Sequence, residues 1–175
     1  MSVKIDGMAE ISANIAKLTK QKLPQAAKKS LNTLARRAMK GATQTVAKEI
    51  GVPHKTIRNR AKLTKPAEKT RLEARIKVVR SNMPAIRLFE NRSTKMWIGR
   101  GGIVVGKYAI KRGFTQTLKN GRTHLMQRQG KARYSIDVVK IPLSQPLTQA
   151  FSHELKDYQQ DIQKELAKQL SEVFK

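Results

Sequence analysis

Between Gly113 and Phe151 the sequence changes its hydrophobic period, and that change limits the folds open to it. Phe114 to Lys119 and Arg122 to Gln127 flank Asn120-Gly121, a pair favoured in tight β-hairpins because both residues tolerate positive φ. A two-residue turn there sets Lys119 opposite Arg122 and Leu118 opposite Thr123, with Phe114, Leu118 and Leu125 on one face. Tyr134 to Ile141 is a second strand-like run, stopped by Pro142. From near Pro146 the spacing turns helical. Leu147, Phe151, Leu155, Tyr158, Ile162, Leu166 and Leu170, continued by Val173 or Phe174, make one sustained stripe.

The chain upstream repeats the contrast. Asp6 is placed to cap a short helix with Met8, Ile11, Ile15 and Leu18 on one face. Pro24 suits the first turn of a second helix, whose narrow stripe is Ala27, Leu31, Leu34, Ala35, Ala38, Met39, Ala42 and Val46. Gly51 ends it, with Pro53 just beyond. Small side chains permit close helix contact but bury little area each. Pro53 to Leu63 reads as a short basic helix and the following TKPAEK as a loop. In residues 71–80, Leu72, Ala74, Ile76 and Val78 alternate with Arg71, Glu73, Arg75 and Lys77, as in a half-buried strand. Pro84 breaks it, and Ala85 to Glu90 reads as an antiparallel partner. Asn91 to Gly102, which holds the sole Trp97 between Lys95 and Arg100, reads as a flexible loop, and Ile103 to Ile110 as β-prone.

The expected fold class is therefore α+β: N-terminal helices and a long C-terminal helix packed on a mostly antiparallel sheet. The expected organisation is a basic helical arm over 1–65, a sheet core over 66–145 with its loop at 91–102, and a closing helix over 146–175.

Charge bounds the partners. A net charge of +25 on 175 residues makes the chain repel itself and seek polyanions: nucleic acid, an anionic membrane surface or an acidic protein face. Beyond Pro146 acids and bases nearly balance, so the excess lies upstream. Lys28, Lys29, Arg36, Arg37 and Lys40, then Arg58, Arg60, Lys62 and Lys65, are the candidates for tracking phosphates. The sequence holds no helix-turn-helix spacing, zinc finger or ribonucleoprotein aromatic motif, so base reading is not expected. A long charged helix face is usually only solvated, but the excess here is too large for that alone. The alanine-rich stripe lacks the aromatics of a membrane-surface helix, and no apolar run is long enough to span a bilayer. Without a secretory leader pattern or a cysteine, the expectation is a soluble protein made in the cytoplasm.

Little in the sequence points to catalysis. Gly101 to Lys107 fits the phosphate-loop spacing G-x-x-x-x-G-K, but Tyr108 stands where the magnesium-binding hydroxyl belongs. Its interior, Ile103-Val104-Val105, favours a strand. His54, His124 and His153 are scattered and have no cysteine to complete a zinc site. Asp137 stands alone among apolar residues, and Glu154 with Asp157 has a bland explanation in open water and Lys156. No enzyme, cofactor or metal is expected.

The central stretch resembles the minor tail protein Z, or tail completion protein, family of lambda-like tailed bacteriophages and prophages. The residues carrying the resemblance are Leu118-Lys119-Asn120-Gly121-Arg122, His124, Met126-Gln127-Arg128, Arg133-Tyr134, Ile136 to Pro142 with Asp137, and Pro146-Leu147-Thr148 with Ala150-Phe151. Weaker echoes lie in Ala74 to Val78, Pro84 to Leu88 and Ile5 to Met8. Thr123 and Ser135 depart from it, standing where an aromatic and a proline are frequent. The resemblance implies a non-enzymatic virion protein, made in the host cytoplasm, that acts at the head-proximal end of the tail near the terminator and neck. It implies a homo-oligomeric ring, with six copies matching the local symmetry, contacts to tail terminator and other neck proteins, and a part in DNA delivery. It marks Asn120, Gly121, Arg122, His124, Met126, Arg128, Tyr134 and Asp137 as candidate subunit-interface residues. The alternative from another class is a sequence-indifferent DNA-binding protein working through its basic N-terminal helices.

Overall fold

A computed structural model describes residues 20, 22–91, 94–130 and 134–173. The expected helix from Asp6 to Leu18, the motif residue Arg133 and Phe174 lie outside the described residues. The fold is α+β, with antiparallel strands in small sheets. In chain order the elements are α1 (Leu23–Ile50), α2 (His54–Arg58), β1 (Ala61–Lys65), β2 (Arg75–Val78), β3 (Met83–Pro84) and a 3-10 helix (Ala85–Glu90). There follow β4 (Met96–Gly99), β5 (Gly102–Val105), β6 (Tyr108–Lys111), β7 (Gly113–Thr117), β8 (Thr123–Arg128), β9 (Ile136–Val138) and β10 (Lys140–Ile141). Two helices close the chain, α3 (Ser144–Glu154) and α4 (Tyr158–Val173). The chain divides into two compact units, one of Met1–Met39, Lys62–Lys77 and Glu154–Lys175, the other of Lys40–Ala61 and Val78–His153.

The second unit holds the aliphatic core. Val46 and Ile50 of α1 meet Ile57 of α2, Leu88 of the 3-10 helix, Leu125 of β8 and Leu147 of α3, all nearly or fully buried. Each such side chain contributes about 1.5–3 kcal/mol by leaving water. On β5 the alternation is clean: Ile103 and Val105 are buried and Val104 between them is exposed. Gly51 closes α1 at φ +82, and the N–H groups of Gly51 and Val52 both donate to the Ala47 carbonyl at 3.0 Å.

Several sequence expectations change here. Gly101 to Lys107 is a turn, a strand and the start of a two-residue hairpin: β5 pairs with β6 through Val105↔Tyr108, and no helix follows. The loop expected over 91–102 contains β4, which pairs with β5 through Met96↔Val105 and Trp97↔Val104. Ala85–Glu90 is not a strand. Its sequence repeats apolar, apolar, charged, so Ala85 and Leu88 are buried while Arg87 and Glu90 are exposed, which suits three residues per turn. Only Met83 and Pro84 pair before it, with β10 rather than β2. The basic helix expected from Pro53 to Leu63 stops at Arg58, and Ala61 begins β1.

The β7–β8 hairpin forms, but one residue off the expected register. Thr117 faces Thr123, leaving Lys119, Asn120 and Gly121 as a three-residue loop. The Gly121 N–H donates to the Leu118 carbonyl (2.9 Å), and the Leu118 N–H to that of Arg122 (2.9 Å). Gly121 sits at φ +74, the left-handed residue that such a loop requires. Because side chains alternate, this step moves Phe114 to the face opposite Leu125; it lies across from Met126 instead. The Tyr134–Ile141 run also divides. β9 pairs with β8, β10 pairs with β3, and Val139 between them donates to Leu125 and accepts from Ala85.

In the first unit the buried positions of α1 are Ala26, Ser30, Leu34, Ala35 and Ala38, with Ala27, Leu31 and Met39 half-buried. Ser30 satisfies its hydroxyl on the Ala26 carbonyl (3.0 Å). Asn32 clamps the chain beyond β1: its amide donates to the Ala67 carbonyl (3.0 Å), and its oxygen accepts from the Ala67 N–H (2.9 Å). β2 is shorter than the alternation suggested, with Leu72 outside it and 49% exposed. The long closing helix is two helices. A turn at residues 155–157 separates α3 from α4, with neither proline nor glycine to mark it.

Candidate interaction surfaces

The basic candidates fall in both units. Lys29, Arg36 and Arg37 lie exposed on α1 opposite its buried alanines, Lys28 is half-buried, and Lys62 and Lys65 of β1 are exposed. Helical spacing explains this, since burial of 26, 30, 34 and 38 turns 29, 33, 36 and 37 outward. In the other unit Lys40 and Arg58 are exposed. Arg60 has a structural partner: its Nη1 donates to the backbone oxygen and to the hydroxyl of Ser81, both at 2.8 Å. Two ion pairs form among the described residues, Arg75–Glu73 and Arg87–Glu90, and all four side chains are largely exposed. The hydrogen bond from Arg75, then its charge, holds the Glu73 carboxyl below the usual range. Few of the chain's cations are therefore in ion pairs among the described residues.

The family-motif candidates separate by job. Asn120 and Gly121 shape the hairpin loop, and the Asn120 side-chain oxygen accepts from the Arg122 N–H (3.0 Å). Met126 is buried, Arg128 is half-buried, Tyr134 is 86% exposed, and Asp137 is exposed across from Gln127. Arg122 and His124 meet Arg87, Phe89 and Glu90 around an open cleft of about 730 Å³. The His124 Nδ1 is buried and makes no hydrogen bond among the described residues. His54 is otherwise engaged, its Nε2 lying 2.9 Å from the Thr43 hydroxyl. No group of three or more His, Cys, Asp or Glu among the described residues is placed to hold a metal. No helix among them is long and apolar enough to cross a membrane.

Sequence reasoning passed over Met96 and Ile98. Both are more than half exposed on β4, beside Trp97 at 60%. The signal was the apolar triplet Met96-Trp97-Ile98 ahead of Gly99, outweighed by the polar residues around it.

These features describe a basic protein with an aliphatic core and with exposed basic and apolar side chains. Comparison with known proteins gives the lineage. The family described as Prophage minor tail protein Z (GPZ) matches residues 5–175. The chain is 37% identical over 161 residues to the "Tail completion protein" of Escherichia phage N15, covering 89% of this chain and 86% of that one. It is 36% identical over 166 residues to the "Tail completion protein Z" of Escherichia phage lambda, covering 87% and 86%. This chain belongs to the prophage minor tail protein Z family. No solved structure matches it.

Proposed function

We propose that this chain is a structural tail completion protein of a lambda-like phage or prophage, fitted at the head-proximal end of the tail beside the terminator and neck. The observation that carries the reading is the family match across residues 5–175, together with two relatives named for tail completion. The protein works by being bound into a ring, with six copies suiting the symmetry of a tail, and catalyses nothing. Repeated around such a ring, a +25 subunit lines or flanks the DNA passage with positive potential and assists delivery. On this reading Arg122, His124, Tyr134 and Asp137 are the motif residues that meet neighbouring subunits.

Particles assembled without this polypeptide test the reading. Tails of normal length that fail to yield infectious virions are expected, with electron density for the chain at the neck of complete particles. Fully infectious particles lacking it overturn the reading.

A second reading has its own support in the exposed Lys29, Arg36 and Arg37 of α1. Acting alone, the chain would bind DNA without sequence preference and with a steep dependence on salt. Charge reversal at Arg36, Arg37 and Arg58 then abolishes binding. Unchanged affinity removes this reading and leaves the first intact.

A further inference from the structure

The sheet β4–β5–β6 ends on an unusual edge. β4 has β5 on one side, and among the described residues no backbone bond joins its other side to another element. The hydrogen-bonding phase of that edge follows from the hairpins. Arg112 donates to the Gly101 carbonyl, and Gly106 to that of Lys95, so Trp97 and Gly99 bond to β5. Met96 and Ile98 therefore turn their N–H and C=O groups outward, as antiparallel pairing alternates. Both faces of this edge are apolar. On the core face, Ile103 and Val105 are 1% exposed while their partners Ile98 and Met96 remain 60% and 53% exposed. On the other face the Trp97 ring lies over Gly99, next to exposed Val104.

Free edges are normally blunted by a lysine or proline within the strand, or by a covering element. β4 is Met-Trp-Ile-Gly and contains neither residue. The charges around it have one sign: Lys95, Arg100, Lys107, Lys111 and Arg112 are exposed, and every Asp, Glu, Lys or Arg from Asn91 to Ile136 is a Lys or Arg. A second copy is a poor occupant. Pairing two β4 edges brings Lys95, Arg100, Lys107, Lys111 and Arg112 of both copies to one seam with no acid from Asn91 to Ile136 to offset them, and charges of one sign repel.

We propose that β4 is a docking edge for an extended segment of another protein, one carrying alternating apolar and acidic side chains, which adds as a fourth strand. Met96 and Ile98 supply backbone pairing and apolar contact, Trp97 is the aromatic anchor, and the basic rim selects acid. The surface stands whether or not the chain sits at the head-proximal end. Infectivity tests that position; the following experiment tests the edge.

Trp97 is the only tryptophan, so its emission in the full chain reports occupancy directly. The probes are a synthetic peptide of alternating Glu and Val, its Lys-Val counterpart, the Glu-Val peptide N-methylated at alternate amides, and an oligothymidylate. Saturable blue-shifted emission with Glu-Val and none with Lys-Val is expected. N-methylation, or Ile98→Pro, which removes an outward N–H, weakens binding about tenfold. Ile98→Thr, which keeps the strand but trims its apolar surface, weakens it severalfold and serves if the proline variant does not fold. Equal binding of Lys-Val, or indifference to both N-methylation and Ile98→Thr, overturns the proposal. So does a shift produced by oligothymidylate but not by peptide, or by protein concentration alone, which would assign the edge to nucleic acid or to a second copy.

Discussion

The two units bury different kinds of side chain. In the second, branched and long aliphatics from helices, strands and the 3-10 helix converge on one core, with Ile57, Leu125, Leu143 and Leu147 at 0% exposure. In the first, the buried side of α1 is mostly alanine, and one asparagine holds Ala67 through two hydrogen bonds. Alanine brings backbones together but removes little apolar area from water, so this unit relies more on helix propensity and polar clamps. The contrast teaches that the exposed apolar strand and the exposed cations of α1 rest on different kinds of packing. The aliphatic unit has the core to support an exposed apolar edge, while the alanine-lined helix displays its cations on the far side.

The strongest way to break this contrast is in the aliphatic core. Leu125→Ala or Leu147→Ala should cost about 2–5 kcal/mol in denaturant unfolding, because each leaves a cavity. Leu72→Ala, half exposed beyond β2, should stay within about 0.5 kcal/mol. Equal losses from the two substitutions would refute the placement of the core. Next comes Gly102→Ala. The residue sits at φ +138, and an added Cβ would lie 2.2 Å from the Ile110 carbonyl oxygen. Clash and backbone strain together should cost of order 3 kcal/mol, read as a lower melting temperature.

In the first unit, Asn32→Ala strands the backbone groups of buried Ala67 and should cost about 1–3 kcal/mol. Faster amide exchange at Ala67 is the local signature. Gly121→Ala should cost about 1–2 kcal/mol, from its left-handed φ alone, since nothing lies within 4 Å of the added Cβ. The smallest effect is alkaline. Burial, then the Glu49 charge, pushes the Tyr108 phenol above its ordinary 10.0, so folding favours the neutral form. Its contribution is complete below the ordinary value and is lost as pH rises through the raised one. Tyr108→Phe should flatten the alkaline limb of a melting-temperature profile.

Particular residues show how far the sequence carried. The helical spacing of α1 and its Gly51 stop, the alternation of Ile76 and Val78, and the Asn120-Gly121 hairpin were all local patterns, and each corresponds to an element. Ala85–Glu90 is legible too, since its apolar-apolar-charged repeat has period three and not the period two of a strand. The hairpin register was harder. Two-residue and three-residue loops are both compatible with Asn-Gly, and which one forms depends on cross-strand packing such as Phe114 against Met126. The motif candidates were recognisable by resemblance, but not by job. Met126 in the core and Tyr134 in solvent look alike as apolar strand residues until the register is set.

Sequence alone determined the fold class, the family and the surplus of positive charge, because periodicity, motif residues and ionisable side chains are properties of the chain before it folds. Tertiary structure decided that the closing helix breaks at residues 155–157, that Arg60 is engaged with Ser81, and that Met96 and Ile98 stand on an open edge. The reason is physical. Whether an apolar strand is covered depends on what its sheet pairs with, and among the described residues β4 has a neighbouring strand on one side only.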